Sequence, residues 1–412
     1  MEISEIEYFA SLKGLNLLGT GDALHPYWLR DLERNLVEDG DAQGLYRIKE
    51  GGAGTLFLVQ TEVATVHEYM RKVRRIHHVI LMESLEVAKQ LQELLSNYGD
   101  LSSDGRPVLS ITPSELVEIV MSLDDHNFVF PAHAWTPWWS LFGAFSGVDT
   151  VEECYEDMSH HIHAIETGLS SDPPMNWRLS SLDRYLLISS SDAHSPYPFR
   201  LGREAIVFNV ERLSYRELIA LMRRRDKDHI LMTLEVPPSY GKYHWSGHRR
   251  CGYGPVSPAE ARRIGYRCPV CGKRLTKGVE DRVEELADRP YGYVPEGAID
   301  FRYVLPLQEL IALSLGIEVT SERRLNSGEV VEEYQMLIRR FGDEYRVLLE
   351  APINEISEVT NANLSRLISR LRSGKMEITP GYDGVYGRLN LWRATRTTEN
   401  RSYTRLEDYS EQ

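Results

Sequence analysis

The chain has 412 residues, with 61 Asp and Glu against 47 Lys and Arg and a formal net charge of −14. Hydrophobic residues at 42% and charged residues at 26% are ordinary for a folded globular protein and exclude a disordered or fibrous chain. No run approaches the roughly 18 apolar residues of a membrane helix, no basic-then-apolar leader opens the chain, and four cysteines make no disulfide framework, so a cytoplasmic protein without a membrane partner is expected.

Ile3, Ile6, Phe9 and Leu12 at helical spacing predict an opening helix, with Gly14 as its C-terminal cap. Strands are then expected at 15–20, 55–62, 76–82, 127–132, 162–167, 185–192, 205–210 and 230–236. Helices are expected at 26–36, 84–97, 113–123, 151–158 and 215–225. Strand–helix alternation over some 220 residues predicts a parallel sheet, open or closed. Ionisable residues cluster at the strand ends, where barrel enzymes place their chemistry, which favours a barrel. A βα barrel that starts on a helix lacks its first strand. Beyond residue 300 helices are expected at 305–315, 330–341 and 353–371, and 391–412 reads as a polar tail without fixed structure. The expected division is a barrel over 1–238, a zinc-binding module over 239–300, a helical C-terminal domain over 301–390 and the tail.

Six residues at or near strand ends could bind divalent metal: His25, Glu62, His78, His133, Asp192 and His194. Imidazole with carboxylate suits zinc or manganese, and carboxylates also suit magnesium. Asp192 and His194, two apart in an extended segment, share one face and could reach one ion. His248-x2-Cys251 and Cys268-x2-Cys271, with sixteen residues between Cys251 and Cys268, form two knuckles with the spacing of a structural zinc site. His248 is the expected fourth ligand and His244 the alternative. Cys154, in a helical pattern, reads as a small buried hydrophobe. From 242 to 282 the chain carries ten Lys and Arg against three Asp and Glu, a net of +7 on a body of −21. A basic module on an acidic protein suits local contact with a polyanion, through Arg249, Arg250, Lys273 and Arg274 among others.

Taken together, GTGDALHP (19–26), the TEV around Glu62, IHHVIL (76–81), FPAHAWTPWW (130–139), IETGLSSDPPMNWR (165–178) and SSDAHSP (190–196) resemble the PHP (polymerase and histidinol phosphatase) superfamily. The resemblance is closest to its endonuclease Q branch. It runs on through KYHWSGHRRC, CPVCGKRLTKGVEDRVEELADRP and GYDGVYG (381–387), so it covers nearly the whole chain. It implies a distorted (β/α)7-type barrel holding two or three divalent ions, with the six residues above as ligands and Glu62 bridging. His78 is preferred to His77 because it directly precedes the apolar VIL. Asp22 and Asp192 are the implied catalytic carboxylates. The implied activity is hydrolysis of the phosphodiester 5′ of deaminated bases (uracil, hypoxanthine, xanthine) or abasic sites, with damaged DNA, and replication or repair proteins, as partners. An altered base taken out of the stack needs an aromatic pocket, for which Trp135, Trp138 and Trp139 are candidates.

The family opens on a strand ending in an Asp-Leu-His-x-His-Ser type motif that this sequence does not contain. A start codon placed one strand too late is the expected explanation, and the chain as written is then expected to bind DNA but cut it poorly. Two other readings are a PHP-type phosphoesterase on a small phosphate ester, and a DNA-binding protein with an incomplete metal site.

Overall fold

The computed structural model describes residues 2–390 except 104, 212 and 320. The tail at 391–412 lies outside the described residues. Helix α1 (Ile3–Lys13) ends as expected at Gly14, whose left-handed backbone (φ 94°) lets its N–H reach the Ala10 and Ser11 carbonyls. Strand β1 (Leu17–Gly19), helix α2 (Pro26–Asn35) and the short strands β2 (Leu36–Glu38) and β3 (Tyr46–Ile48) follow.

Next come two long strands, β4 (Leu56–Tyr69) and β5 (Lys72–Met82), which pair antiparallel along their length. This departs from the expected parallel sheet. Met70 and Arg71 both take left-handed φ (49° and 61°), the conformation of a two-residue hairpin turn, so no crossover helix separates the strands. The sheet is mixed. β2, β3, β4, β5 and β7 (Phe128–Pro131) run in that order with antiparallel neighbours, while β1 and β6 (Val108–Leu109) pair with β4 in parallel.

Helices α3 (Leu85–Leu95) and α4 (Pro113–Leu123) cover this sheet. Each begins where a side chain satisfies otherwise orphaned backbone N–H groups: Ser84 for α3, and a reciprocal Thr112–Glu115 pair for α4. Helix α5 (Val151–Tyr155) is shorter than expected and gives way to a 3-10 turn. Strand β8 (Ala164–Glu166), helix α6 (Pro173–Asn176), strands β9 (Leu186–Ile188) and β10 (Ala205–Phe208), helix α7 (Tyr215–Arg224) and strand β11 (Ile230–Glu235) complete the region. The Ala134 N–H donates to the Glu166 carbonyl at 3.0 Å, and the Ser189 hydroxyl to the Leu234 carbonyl at 2.8 Å. With the parallel pairing of β8 and β9, these bonds carry the wall of strands onward from β7 to β11.

After β11 the chain makes β12 (Ser246–His248), β13 (Tyr253–Val256) and α8 (Pro258–Arg263) around a small core of Val256, Ala261, Cys268 and Leu275. Helix α9 (Val279–Leu286) drops Val279 and Val283 into the main core. Strand β14 (Asp300–Tyr303) then pairs in parallel with β11.

The C-terminal region is helical as expected: α10 (Leu307–Ser314), α11 (Glu322–Leu325), α12 (Gly328–Phe341), α13 (Ile353–Val359) and α14 (Ala362–Arg372). The single helix expected at 353–371 is two, because Thr360 turns extended and the Asn361 side chain caps a fresh start, accepting from the Asn363 and Leu364 N–H groups. This region is tied to the opening helix by a fully buried ion pair, Lys13 Nζ to Glu344 Oε1 at 2.6 Å. Glu344 also accepts from the Leu307 N–H and the Tyr334 hydroxyl.

Residues 381–387 come back across the base of the cysteine-bearing segment. The Gly381 N–H donates to the Ser239 carbonyl, and Gly381 accepts from the Trp245 N–H. Gly384 and Gly387 donate to Lys242 and Tyr240. Asp383 accepts from the Arg249 N–H and the Thr276 hydroxyl, both at 2.6 Å. The Tyr382 ring lies so close to Gly247 and Gly254 that a Cβ on either would stand about 2.2–2.3 Å from it. Among the described residues no helix is long and apolar enough to cross a membrane.

Candidate metal centre

The β4–β5 hairpin decides which residues meet. Its register sets Ala64 opposite His77 and Val63 opposite His78. Opposed residues share a face and neighbours in a strand do not, so Glu62 and His77 point to one side and His78 to the other. His77 Nδ1 stands 3.1 Å from Glu62 Oε1 and 3.0 Å from His133 Nε2, and His133 Nε2 lies 3.4 Å from the same Glu62 oxygen. Ligand atoms of Glu62, His77 and His133 all fall within 4.8 Å of one another.

His78 is fully buried behind this face, against the Tyr155 hydroxyl at 2.8 Å and Thr65 Oγ1 at 2.9 Å. Burial, with His77 nearby, pushes its imidazole down to about 3, which suits a neutral core residue. The expected ligand His78 is therefore a packing residue and its neighbour His77 faces the cluster.

The other expected residues surround the trio. Arg106 joins Glu62 to Asp192: its Nε lies 2.5 Å from Glu62 Oε1, its Nη2 makes a short contact with Asp192 Oδ1, and its Nη1 stands 3.4 Å from His194 Nε2. His194 folds back, Nδ1 to its neighbour's backbone oxygen at Asp192, 3.0 Å away. His25 lies at the rim, Nε2 against the Ser102 carbonyl at 3.2 Å. Desolvation and the Glu62 charge raise the Asp22 carboxyl, while Arg106, His25 and His194 act the other way, so Asp22 shares the site's field.

Burial opposes ionisation of Glu62, but contacts from His133 and His77 outweigh it and hold the carboxyl well below its ordinary value. Burial likewise disfavours the His133 imidazolium, and Glu62 reverses the balance so that its pKa rises. Glu166, not expected from the sequence, anchors this residue: its carboxylate accepts the His133 backbone N–H at 2.5 Å and the Ser190 hydroxyl. Asp22, His133 and Asp192 take left-handed φ of 45°, 30° and 44°. Non-glycine residues adopt such backbone when the surroundings force it, and they gather at functional sites.

The aromatic candidates separate. Trp135 is core, fully buried on Phe142 with its indole N–H donated to Asn176 Oδ1 at 2.8 Å, so it cannot line a pocket open to a base. Trp139 leans on His77 at 5.3 Å between centroids and carries the Arg75 guanidinium on its face. Trp138, 39% exposed, stacks on Phe145 at 5.0 Å and 13°, with Tyr243 edge-on.

In the second cluster, His248, Cys251, Cys268 and Cys271 bring their ligand atoms within 4.8 Å of one another. His244 is elsewhere, stacked on Trp245 and pushed by burial down to about 4. Burial opposes the Cys268 thiolate, yet the Cys271 and Val270 N–H groups and His248 lower its pKa to about 7. Soft sulfur with imidazole at this spacing fits a four-coordinate zinc ion, and carboxylate with two imidazoles fits a harder divalent cation at Glu62. Around the cysteines Arg262, Arg263, Lys277 and Arg282 are spent on Glu284, Glu260, Glu285 and Asp149. Arg249, Arg250, Lys273 and Arg274 are exposed.

A family model described as the MJ0043 C-terminal domain matches residues 306–375. The uncharacterized protein YqxK of Bacillus subtilis is 30% identical over 390 residues, 92% of this chain and 89% of its own. The uncharacterized protein MJ0043 of Methanocaldococcus jannaschii is 30% identical over 274 residues, 65% of this chain, and the match spans a third (33%) of that longer protein. The lesion-specific endonuclease PfuEndoQ of Pyrococcus furiosus superposes with a TM-score of 0.82 at 32% identity, over 96% of this chain and 93% of its own. An endonuclease Q bound to a 27-mer duplex with an abasic lesion at the active site superposes at 0.81 and 32%, over 94% and 91%. With a relative matched at this identity along nearly its whole length and a shared mixed α/β fold with its helical C-terminal region, the chain belongs to the endonuclease Q family.

Proposed function

We propose that this chain is a metal-dependent DNA repair endonuclease that hydrolyses the phosphodiester 5′ of a deaminated base or abasic site. The observation that carries the reading is the convergence of Glu62, His77 and His133 on one point, flanked by Asp192 and His194, in a fold shared with a nuclease bound at an abasic lesion. Zinc, manganese or magnesium held there would acidify a bound water and screen charge on phosphorus. Glu62 would hold the ion as a carboxylate, since His133 and His77 keep it ionised. Glu166 and Thr136, the latter 3.0 Å from His133 Nδ1, fix the backbone and ring of His133 so that Nε2 faces Glu62. Asp22 and Asp192 are the carboxylates best placed to take a proton from the attacking water.

In this reading the barrel expected over 1–238 carries the chemistry, 239–300 the grip on DNA, and 301–390 the support. Zinc on His248, Cys251, Cys268 and Cys271 would brace the loops that present Arg249, Arg250, Lys273 and Arg274 to phosphates. Trp138 and Trp139, with Phe145, are the surface on which a displaced base would stack. The test is nicking of duplexes carrying one deoxyuridine, deoxyinosine or abasic site, with each metal added to metal-stripped protein. Slow cleavage 5′ of the lesion, abolished by Glu62→Ala and His77→Ala while duplex binding persists, is the expected result. Hydrolysis of a small phosphomonoester with indifference to every damaged duplex would replace this reading by the phosphoesterase one.

A further inference from the structure

Arg106 is a residue for which the reading above has no use. It lies between α3 and β6, and its side chain is 21% exposed. One guanidinium spans Glu62 of the cluster and Asp192 beside it, and reaches His194. Nearby Arg203 is committed differently, its Nε on the Ser191 carbonyl at 2.9 Å and its Nη2 toward that of Asp192.

A guanidinium has no lone pair to give a metal and stays charged at any working pH, so it cannot be a ligand. It contacts the same Glu62 oxygen that lies beside His77 and His133. Two cations cannot both sit on that oxygen without strong repulsion, so a divalent ion bound by Glu62 and Asp192 must displace Arg106. The displaced guanidinium remains tethered at the rim, partly exposed, with five N–H donors and no carboxylate. A phosphodiester offers what it then lacks: two anionic oxygens at the spacing of the guanidinium fork.

We propose that Arg106 is a phosphate-binding residue of this centre, which holds Glu62 and Asp192 until divalent metal takes them and then turns to the DNA phosphate. The proposal rests on Glu62 and its neighbours being a metal centre. Such an exchange would couple the two binding events: metal without phosphate leaves Arg106 unpaired, and phosphate without metal must compete with two carboxylates.

The experiment compares wild type with Arg106→Ala, Arg106→Lys and Glu62→Ala, all checked for unchanged urea midpoints. Mn²⁺ binding is measured by calorimetry without DNA, and inorganic phosphate binding is measured on Mn²⁺-saturated protein. Removing a competing cation should tighten Mn²⁺ binding in Arg106→Ala by about tenfold, and losing a charged bidentate donor should weaken phosphate binding by about tenfold or more. Arg106→Lys should fall between, since an ammonium keeps the charge without the fork. Mn²⁺ binding that is unchanged or weaker in Arg106→Ala overturns the proposal, and so does unaltered phosphate affinity. If Glu62→Ala binds Mn²⁺ as wild type does, the metal centre itself is misassigned, a separate failure. Should Arg106→Ala unfold, Arg106→Lys alone decides by the same two readouts.

Discussion

Adjacent histidines with opposite duties give the sharpest prediction. His78→Ala should cost stability and spare metal binding, and His77→Ala should do the reverse. In His78→Ala the Tyr155 hydroxyl loses its partner at 2.8 Å within a fully buried site, whereas Thr65 keeps the Ile76 carbonyl within 3.5 Å. One orphaned buried hydroxyl costs roughly 1–3 kcal/mol, and a ring-sized void adds about 2–4 kcal/mol, so a loss of about 3–7 kcal/mol is expected. The loss must also depend on pH. Because burial holds the native imidazole down near 3 while the unfolded one protonates near 6.5, the unfolded state takes up a proton first as pH falls. His78 therefore contributes fully above about pH 6.5 and progressively less below it, at about 1.4 kcal/mol per unit. Between pH 7 and pH 5 the gap separating wild type from His78→Ala should narrow by about 2 kcal/mol. Urea unfolding in EDTA at the two pH values measures both quantities, and Mn²⁺ calorimetry on the same variants supplies the other half. Loss of a ligand should cost His77→Ala at least the roughly 10–100-fold typical of losing a ligand's supporting partner. Should His78→Ala lose Mn²⁺ while His77→Ala keeps it, the hairpin register and the site built on it are wrong.

Other variants probe the rest of the molecule. Cys268→Ser or Cys271→Ser should release about one zinc per chain by elemental analysis and lower the melting temperature, since binding and folding are coupled. Zinc content that stays level in both would remove the module's assignment. Lys13→Met should destabilise by about 3–5 kcal/mol in urea, because Glu344 would be left charged and buried without its partner, and Glu344→Gln in the same chain should recover part of that loss. Burial raises the Glu166 carboxyl to about 7, so the native state keeps a proton that the unfolded state sheds near 4.5. Stability should therefore fall as pH rises from about 4.5 to 7, and Glu166→Gln should flatten that slope without moving the cysteine-bound zinc. A binding isotherm for duplex DNA that keeps its salt dependence after Arg249, Arg250, Lys273 and Arg274 are changed together to Ala would exclude those residues as phosphate contacts.

Much of this was legible from local signals. Gly14, Thr112 with Glu115, and Ser84 announce helix ends because capping is chemistry within one turn, and the cysteine knuckles announce themselves by spacing. His77 was not legible in that way, because facing is a matter of strand pairing. Had the turn been placed at Met70–Arg71, pairing Tyr69 with Lys72 would have set Ala64 opposite His77 and carried Glu62 onto the same face. Neither residue belongs to the usual turn formers, so the signal was hidden. Trp135 misled because an indole beside a candidate ligand histidine reads as a pocket wall, and its burial on Phe142 with the Asn176 side-chain oxygen on its N–H marks it as core. Arg106 belongs to no motif, and Glu166, although it lies in the IETGLSSDPPMNWR segment, has no spacing to a partner that singles it out. Their positions follow from which loops meet, a property of the assembled fold.

The seam formed by residues 381–387 has a consequence for how the molecule is made. A chain emerging from the ribosome in order has its cysteines out, and able to take up zinc, more than a hundred residues before Tyr382 arrives to fill the hollow over Gly247 and Gly254. Until then Ser239, Tyr240 and Lys242 lack the backbone partners that Gly381, Gly387 and Gly384 bring, and the cysteine-bearing segment rests on its packing through α9 and on the Arg282–Asp149 pair. The seam over Gly247 and Gly254 is thus the last support that synthesis adds to this segment. Proteolysis or a stop codon after the helices and before Gly381 should therefore loosen the cysteine-bearing segment first, at the hollow over Gly247 and Gly254.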